Sequence, residues 1–155
     1  MPRPGASQTS IVSDPNCPFC RIIDANDGAD VVLDDDVAIA FLDRAPVFKG
    51  HTLIVPRRHA VTLPELDADL VGPLFERVRR VAASMPSALD ADGTFVAINN
   101  VVSQSVAHLH VHVVPRRRKD GLRGFFWPRQ KYAAGESAAY ARRIREALEP
   151  PTALR

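Results

Sequence analysis

The spacing of the histidines is the first feature of this sequence that could support chemistry. Three of the five histidines in the chain, His108, His110 and His112, alternate with apolar residues in the stretch "HLHVHVV". In a β-strand, alternate side chains point to the same face at intervals of about 6.6 Å. The pattern therefore predicts a strand with imidazoles on one face and packing residues on the other.

This row of imidazoles has three interpretations. It could be the polar side of a half-buried strand, but three histidines in register make coincidence a poor explanation. It could hold a zinc ion that activates water, as three-histidine sites do. Finally, the middle imidazole could be a nucleophile that its neighbours position. The row alone does not decide between the last two.

The two cysteines are the second chemical feature. Cys17 and Cys20 lie in "CPFC", a spacing that occurs in redox sites and in zinc sites. The preceding "VSDPN" lacks the apolar strand that a thioredoxin-like site needs, so zinc is favoured over redox exchange. Two thiolates leave two positions of a tetrahedral site open, for which His59 and His108 are the candidates. The competing interpretation is a pair of reduced thiols in a helix.

The elements that must hold these residues follow from hydrophobic periodicity and turn residues. We predict a short helix (17–26), a hairpin of two strands (31–34 and 37–42), a third strand (51–56), two further strands (94–99 and 107–115) and a C-terminal helix (137–148). Between residues 64 and 85, apolar spacing predicts a long helix, which Gly72 and Pro73 either kink or begin. Runs of strands with one long helix between them predict an α+β fold with a mainly antiparallel sheet.

Length and composition limit the class of protein. A chain of 155 residues suffices for one domain, which we place at 17–148, between a flexible lead-in (1–16) and a short tail (149–155). Hydrophobic residues make up 46% of the chain, and no apolar run approaches the roughly 20 residues of a membrane-spanning helix. The N-terminus also lacks the apolar core of a secretion signal, so we expect a cytoplasmic protein without membrane contact.

Positive charge is concentrated in residues 116–131, within a predicted loop segment (116–136). These residues carry a net charge of +6, and Phe125, Phe126 and Trp127 lie among them. Such a mixture could stack on bases and neutralise phosphates, as single-strand binders do. We prefer a solvated basic loop whose aromatic residues pack on the sheet or in a dimer interface. A third interpretation is a segment that reaches over a pocket and binds the distal phosphate groups of a ligand there.

Several ordered motifs resemble one family. The stretch "HLHVHVV" matches the His-x-His-x-His-x-x signature, with apolar x, of the histidine triad (HIT) proteins, and the flanking "QSV" and "PR" are also typical there. The stretch "AFLDRAPVFKGHTLIVPRRH" resembles the family's F-x-D-x-x-P-x-x-x-G-H-x-L-x-x-P-x-x-H block, and "INN" matches as well. The resemblance covers about residues 17–116 and implies a HIT-like fold.

The resemblance implies a nucleotidyl hydrolase or transferase. In the family, the histidine at the position of His110 attacks the α-phosphorus of a purine nucleoside phosphoramidate or dinucleoside polyphosphate. Water then releases the nucleoside monophosphate from the nucleotidyl-histidine. Imidazole suits this chemistry, because at its unperturbed pKa of about 6.5 one ring nitrogen is a free nucleophile at neutral pH. The other nitrogen must carry a proton, and we expect a main-chain carbonyl of the motif to hold it.

The same match implies roles for the residues around His110. His112 is expected to donate to a non-bridging phosphate oxygen as negative charge builds in the transition state. The residues that match family positions near the phosphates are His51, Asn99, Gln104 and Ser105. Asp43 is expected to accept from the ribose hydroxyls, with Phe41 and Ile23 against the base. Without the match, structural roles at turns, strand ends and the surface would be favoured for the polar residues.

A structural zinc ion, and no organic cofactor, is also implied. Zinc-bearing relatives and the related galactose-1-phosphate uridylyltransferases use two cysteines and two histidines. The corresponding residues here are Cys17, Cys20, His59 and His108. The three histidines of the row would then have different roles, the first structural, the second catalytic and the third a phosphate ligand. A homodimer is implied by the family alone.

One departure from the family pattern leaves the activity open. The linker "NVVSQ" is shorter than is usual in the family, and Ser103 replaces a common glycine, so the phosphate pocket and the leaving-group preference are affected. Two alternatives therefore remain, a nucleotide- or RNA-binding regulator with little turnover and a metallohydrolase with zinc on all three histidines of the row. The sequence names neither the leaving group nor the final acceptor, water or phosphate.

Overall fold

Two helices and one sheet form the larger part of the protein. The computed structural model describes residues 13–122 and 130–148. The chain divides into two compact units between Asp120 and Gly121, and each is described by itself. The first unit contains α1 (Pro18–Ala25), β1 (Val31–Asp34), β2 (Ala38–Leu42), β3 (Thr52–Pro56), α2 (Ala68–Leu89), β4 (Gly93–Ala97) and β5 (Val111–Arg116). A short 3₁₀ turn, Leu63–Glu65, precedes α2.

The five strands pair antiparallel in the order β1-β2-β3-β5-β4. Along the chain, α2 connects β3 to β4, and β5 follows last. In the sheet, β5 lies between β3 and β4. β5 therefore has a neighbour on each side, and His112 lies opposite both Leu53 and Ala97. The prediction of an α+β fold with an antiparallel sheet is confirmed.

The two faces of the sheet bury different residues. On one face, apolar residues of α2 pack against alternate residues in and just before β5 (Leu74, Val78 and Val81 with Leu109, Val111 and Val113). On the other face, α1 packs against β2 and β3 (Phe19, Cys20 and Ile22 with Ile39, Phe41, Leu53 and Val55). The predicted separation of apolar and histidine side chains in "HLHVHVV" is found, with the apolar side chains packed on α2 and His108 and His110 in contact with Phe19 of α1.

The predicted strand 107–115 is wrong at its N-terminal end. β5 begins at Val111, so of the three histidines only His112 lies in the regular strand. The residues just before it use their N–H groups elsewhere, because the His108 N–H donates to the Val106 carbonyl at 2.8 Å and the Leu109 N–H to the Ala60 carbonyl at 2.7 Å. The histidine row is therefore bent where it leaves the sheet.

The predicted long helix is displaced along the sequence. α2 begins at Ala68 and ends at Leu89, four residues later than predicted at each end, and residues 63–65 form the 3₁₀ turn instead. Gly72 and Pro73 lie inside α2, near its start, and neither is its first residue. Pro73 is the sixth residue of α2, beyond the first turn, so α2 lacks the hydrogen bond that an N–H at this position would donate to the carbonyl four residues earlier.

The other predicted boundaries differ by one or two residues. The strand at 31–34 is confirmed, those at 37–42 and 51–56 each begin one residue later, and that at 94–99 runs from Gly93 to Ala97. α1 is one residue shorter at each end than predicted and stops at Asn26, whose backbone is left-handed at φ 50°. Asn is among the residues that tolerate this conformation, so it ends the helix.

The turn between β1 and β2 depends on one carboxylate. The Asp35 Oδ1 accepts from the N–H groups of Val37 and Ala38 at 2.9 and 3.1 Å, and its Oδ2 accepts from the Arg77 Nε of α2 at 2.9 Å. Burial acts to raise the pKa of Asp35, but these N–H groups and the guanidinium outweigh it and hold the pKa below its usual value. The carboxylate thereby ties the hairpin to the helix.

Replacing Asp35 by alanine should lower the free energy of unfolding by about 2–3 kcal/mol at pH 7, because three hydrogen bonds are lost. The matched control is Asp36→Ala, since Asp36 is 93% exposed and lies 3.8 Å from Arg77, so its loss should cost less than about 0.5 kcal/mol. Urea unfolding measures both. Because the folded-state pKa is lowered, the difference between wild type and Asp35→Ala should shrink as the pH falls below about 4. Equal costs for the two variants would contradict this account.

The second unit contains α3 (Glu136–Leu148), which begins one residue before the predicted helix. The Ala133 N–H donates to the Glu136 carboxylate at 2.8 Å, and the ring of Tyr140 contacts that of Tyr132, with centroids 5.9 Å apart. No residue of α3 is buried. The aromatic residues 125–127 of the basic segment lie outside the described residues. Among the helices of the described ranges, none combines the length and the apolar content required to cross a bilayer.

Candidate active site and metal site

Two cysteines and two histidines come together where the chain approaches β5. The Cys17 Sγ lies 3.4 Å from the His108 Nδ1, and the Cys20 Sγ lies 3.6 Å from that nitrogen and 3.3 Å from the His59 Nδ1. Ligands at ordinary zinc bond lengths in a tetrahedron are separated by about 3.5 Å. Donor set and spacing therefore both fit zinc, and all but the half-buried His59 are buried. These are the four residues that the resemblance implies.

The surroundings prepare these residues to bind a cation. The His108 Nε2–H donates to the Pro56 carbonyl at 2.9 Å, which leaves the lone pair on the nitrogen that faces the sulfurs. Burial lowers the pKa of His108 to about 4, so the ring is neutral at pH 7, as a ligand must be. Burial also raises the pKa of the Cys17 thiol. A bound cation would offset that effect by stabilising the thiolate.

The ring of His110 is held rigidly next to this cluster. The residue is only 3% exposed, and its ring meets the Phe19 ring edge-on, with centroids 5.2 Å apart. Its Nδ1–H donates to the His108 carbonyl at 2.7 Å, which is the main-chain partner that the motif predicts. The proton on Nδ1 leaves the lone pair on Nε2. The ring thus has the tautomer of a nucleophile whose orientation the backbone fixes.

Hydrogen bonds also fix the tautomers of the two neighbouring histidines. The Val47 N–H donates to the His51 Nδ1 at 3.2 Å, so the neutral His51 ring carries its proton on Nε2. This Nε2–H donates to the His112 Nδ1 at 2.9 Å, and His112 in turn carries its proton on Nε2. That nitrogen is buried and has no hydrogen-bond partner among the described residues. A buried donor without a partner is costly unless a ligand accepts from it.

Burial keeps both of these rings neutral. It lowers the pKa of His51, against the upward effect of the Asp43 carboxylate. It lowers the pKa of His112 to about 4, and the charge of a protonated His110 would act in the same direction. At neutral pH, the two hydrogen bonds from Val47 to His51 and from His51 to His112 therefore keep the proton of His112 on its Nε2.

A cavity of about 620 Å³, a volume typical of a small-molecule site, is lined by residues that neighbour these histidines, although none of the described histidines is itself on the lining. Phe19 contacts the His110 ring, Asp43 lies beside His51, and Leu53 is opposite His112 in the sheet. Its apolar lining comes from α1, β2 and β3 (Phe19, Ile22, Phe41 and Leu53). The predicted Phe41 is thus on the wall, but Ile23 is not, and packs among the core residues around α1 instead. Residues three apart share a helical face, so Ile22 follows Phe19 into the cavity and Ile23 points elsewhere.

Asp43 also lines the cavity, at the end of β2. Its Oδ1 accepts from the Ala45 N–H at 2.8 Å, which is the turn role that competes with ligand binding in the sequence. Its Oδ2 lies 3.7 Å from the His51 Nδ1, and the side chain is 24% exposed. One oxygen therefore holds the turn, and the other can accept from a hydroxyl group in the cavity.

The loop between β4 and β5 places its predicted residues unequally. Ser105 lines the cavity, whereas Asn99 is exposed and does not line it. The Gln104 side chain is occupied by the protein, since its Oε1 accepts from the Val101 N–H at 2.8 Å and its Nε2 donates to the Val61 carbonyl at 2.6 Å. Gln104 thus braces this loop against the one before α2.

The same loop contains backbone strain. Val101 has φ 70° and Ser103 has φ 60°, both in the left-handed region that favours glycine. This conformation is unusual for any other residue and most unfavourable for a β-branched one such as valine. The short linker and the missing glycine noted in the sequence are therefore accommodated by strain next to the cavity.

The first arginines of the basic segment have structural roles. Arg116 forms an ion pair with Asp120, with 2.9 Å between Nη2 and Oδ1. Arg117 donates to the carbonyls of Leu89 and Asp90 at the end of α2, where helix carbonyls lack partners within the helix. For these two residues, the structure supports the simpler interpretation of the basic charge.

The three histidines of the row do not converge on one metal ion. Within the described ranges, two groups of side chains are close enough to share an ion, namely the Cys17 cluster and the trio of Asp43, His51 and His112. Neither contains His110. The site proposed in the three-histidine metallohydrolase alternative is therefore not formed, because His108 turns toward the cysteines.

Several contributors to the site were not predicted from the sequence. Phe19 and Ile22 had a usable signal, since they are three residues apart in a short helix before the motif block. Leu53 could have been found from its alternation with Val55 in β3. Val47 contributes only its backbone N–H, which donates to His51, and a pattern of side-chain types cannot predict such a contact.

Known sequences share these features. The sequence model described as HIT domain matches residues 25–119. The chain is 37% identical over 106 residues to an uncharacterized HIT-like protein of Saccharolobus solfataricus, which covers 67% of this chain and 76% of that protein. It is 30% identical over 109 residues to the adenylylsulfatase HINT3 of Arabidopsis thaliana, which covers 69% of this chain and 55% of that protein.

Solved structures resemble the fold closely. A crystal structure of a protein from Streptococcus mutans superposes with a TM-score of 0.82 at 30% identity and covers 94% of this chain and 92% of that one. A zinc-bound histidine triad family protein from Mycobacterium smegmatis superposes with a TM-score of 0.66 at 30% identity and covers 85% and 97%.

Proposed function

This chain belongs to the histidine triad (HIT) family, and from that premise we propose that it hydrolyses or transfers nucleotidyl groups through His110. Membership supports a nucleotide hydrolase or transferase as the general class. The substrates proposed are purine nucleoside phosphoramidates or dinucleoside polyphosphates, cleaved at the α-phosphate. The name of the similar adenylylsulfatase adds adenylyl sulfate as a third candidate with the same α-phosphate chemistry.

The observation that carries the proposal is a lone pair and a donor placed side by side. The rings of His110 and His112 lie 5.0 Å apart, one with its lone pair on Nε2 and the other with an unpartnered Nε2–H. A phosphate group needs both, a nucleophile for phosphorus and a donor for the charge on its oxygens. Neither tautomer depends on a ligand, because protein groups fix both.

The proposed reaction has two displacement steps. The His110 Nε2 lone pair attacks the α-phosphorus, an N–P bond forms, and the leaving group departs with the electrons of its bond to phosphorus. A polyphosphate or sulfate leaves as the anion, whereas the amine of a phosphoramidate takes up one proton from solvent as it departs. The imidazole then carries a positive charge, which the His108 carbonyl stabilises through the bond to Nδ1–H. Water attacks the same phosphorus, the N–P bond breaks, and the nucleoside monophosphate is released with its proton balance restored by loss of one proton to solvent.

The remaining residues bind the nucleotide. The His112 Nε2–H is assigned to a non-bridging oxygen, where it would stabilise the charge of the transition state, and the hydrogen bond from His51 keeps that proton on Nε2. The free Asp43 oxygen is assigned to the ribose hydroxyls, and Ser105 to the phosphate end of the cavity. The purine is assigned to the apolar wall of Phe19, Ile22, Phe41 and Leu53, which replaces the sequence assignment of Ile23.

We propose that the Cys17 cluster binds one zinc ion in a structural role. The fit of two thiols and two imidazoles supports this, as does the zinc-bound relative from Mycobacterium smegmatis. The ion would supply four bonds that join α1 to the residues just before β5. Its ligand His108 also holds His110, so the metal site and the nucleophile are neighbours on one stretch of chain.

A homodimer and a cytoplasmic location are further predictions. β4 is an edge strand of the sheet, and its Val96 is 43% exposed, which is consistent with an interface there. The absence of an organic cofactor follows from the family resemblance alone.

A second candidate function is favoured by the strained loop. Because Gln104 is occupied by protein groups and Val101 is left-handed, the pocket could bind nucleotides without rapid turnover, as a nucleotide- or RNA-binding regulator would.

Release of nucleoside monophosphate tests the proposal. The protein should release AMP from at least one of adenosine phosphoramidate, diadenosine tetraphosphate and adenylyl sulfate, and the preferred compound identifies the leaving group. Chromatography of the products with and without phosphate separates hydrolysis from phosphorolysis. If AMP binds but none of the three is cleaved, the regulator is correct and the enzyme proposal fails.

A further inference from the structure

The cavity lining includes charged residues that the proposed reaction does not use. Arg21, Asp27, Asp30 and Arg44 line the cavity together with the apolar wall. Asp27 and Asp30 belong to the segment between α1 and β1, and Arg44 directly follows the Asp43 assigned to the ribose. A nucleoside with its ribose at Asp43 would have its base near Arg44 and the segment that Arg44 contacts.

Arg44 ties this segment to the end of β2. Its Nη2 donates to the Asp27 carbonyl at 3.4 Å and to the Gly28 carbonyl at 3.3 Å. Gly28 has φ +65°, and a Cβ at this position would lie 3.1 Å from the same Nη2, so the guanidinium lies directly against the backbone. No other side-chain hydrogen bond to residues 27–30 is present in the described part of the chain.

The segment that Arg44 anchors offers acceptors to the cavity. Asp27 and Asp30 both line the cavity and are exposed, and neither carboxylate has a hydrogen bond or ion pair within the described ranges. Acceptors on a cavity wall are satisfied by ligand donors, and the exocyclic amino group of adenine or guanine is such a donor. Hypoxanthine has a carbonyl oxygen where adenine has its amino group. This oxygen is an acceptor, so it could not donate to the acceptors of Asp27 and Asp30.

We propose that Arg44 is a specificity-determining residue, which positions residues 27–30 as an acceptor wall that favours nucleobases with an exocyclic amino group. The inference rests on the proposed function for the identity of the ligand. Arg44 is a positioning residue, since it acts through the segment and touches no reacting atom. Binding energy from a part of the substrate remote from the reacting bond, made equally in ground and transition states, changes KM and leaves kcat unaltered.

The test compares adenosine and inosine 5′-phosphoramidates as substrates of the wild type, Arg44→Ala, Arg44→Lys and a control. The control is Arg57→Ala, because Arg57 also anchors a loop, through Asp34 and the Asp35 carbonyl, but does not line the cavity. Calorimetry with AMP and IMP gives the affinities of the same four proteins without turnover.

We expect the wild type to favour adenosine over inosine by about tenfold in KM, as for a site that hydrogen-bonds a substrate amino group. Arg44→Ala should raise KM for the adenosine compound about tenfold, bring the preference close to one and leave kcat within about twofold. Lysine should recover part of the preference, since its ammonium can still donate to a carbonyl. Arg57→Ala should keep the wild-type preference.

Three results would overturn the inference: no preference in the wild type, an unchanged preference in Arg44→Ala, or the same loss in Arg57→Ala. Failure of the proposed function is separable from these. If the wild type cleaves nothing but binds AMP better than IMP, and Arg44→Ala loses that difference, Arg44 has the proposed role in a binding protein. If cleavage occurs and the preference for adenosine over inosine is the same in Arg44→Ala as in the wild type, the enzyme proposal stands and this inference fails.

Discussion

The variant His110→Ala should release nucleoside monophosphate at least about a thousandfold more slowly than the wild type, with AMP affinity changed only a few fold. The reason is that the other two histidines beside the cavity have no lone pair to offer. The His51 Nδ1 accepts from Val47, and the His112 Nδ1 accepts from His51. Of these three imidazoles, only that of His110 has its lone pair on Nε2, in a ring that the hydrogen bond from Nδ1–H to the His108 carbonyl holds in place.

The matched control is His112→Ala, which removes an imidazole of the same row but no nucleophile. Loss of one donor to a developing oxyanion typically slows catalysis by about 10² to 10³. His112→Ala should therefore retain measurable turnover and still form the covalent intermediate, whereas His110→Ala should not. Rates come from a discontinuous assay of AMP release at saturating substrate. If His110→Ala kept more than about a tenth of the wild-type rate, well above the loss expected for a nucleophile, another group would be the nucleophile.

Loss of the metal ligands should have the largest effect on stability. The double variant Cys17→Ser, Cys20→Ser should melt at least about 10 °C below the wild type, because structural zinc sites contribute folding free energy directly. The cluster joins residues that are 91 positions apart, Cys17 and His108, and both are buried. Without a cation, the raised pKa of Cys17 favours a neutral thiol, and the lowered pKa of His108 favours a neutral imidazole. These two neutral groups face each other with little mutual attraction.

Metal analysis supplies the direct check on this prediction. Protein purified without added zinc should contain one zinc ion per chain, and the serine variant none. A chelator strong enough to remove the ion should lower the melting temperature of the wild type to that of the variant, and zinc should restore it. A fully folded wild type without zinc, with an unchanged melting temperature in the variant, would show that the cysteines are only buried thiols.

The chemistry of the site was more predictable from the sequence than its local geometry. The alternation around Val111 predicted which side chains face the core, and the family resemblance predicted the four cysteine and histidine side chains that the structure brings together. The start of β5 was not predictable, because it depends on where the N–H groups of His108 and Leu109 find partners. Those partners, Val106 and Ala60, include one about 50 residues away, and a local pattern contains no information on it.

Two further differences have the same origin in tertiary contacts. Ile22 and Ile23 are equivalent by composition, and only the packing of α1 on the sheet decides which one reaches the cavity. The position of α2 was misjudged because Leu66 is buried and lies four residues before Leu70, so it extends the helical pattern backward although it is not helical. Gln104 shows the limit of motif transfer, since its side chain is committed to the protein.

The measurement that tests the central claim most directly is to trap the intermediate. The protein is mixed with adenosine phosphoramidate in a rapid-quench device, and intact mass and peptide mapping follow under conditions that preserve a phosphorus–nitrogen bond. The account predicts a transient gain of one adenylyl group on the peptide containing His110, which appears and decays at the rate of AMP release and is absent from His110→Ala. AMP release at a normal rate with no adduct on that peptide, or with the adduct on another residue, would contradict it.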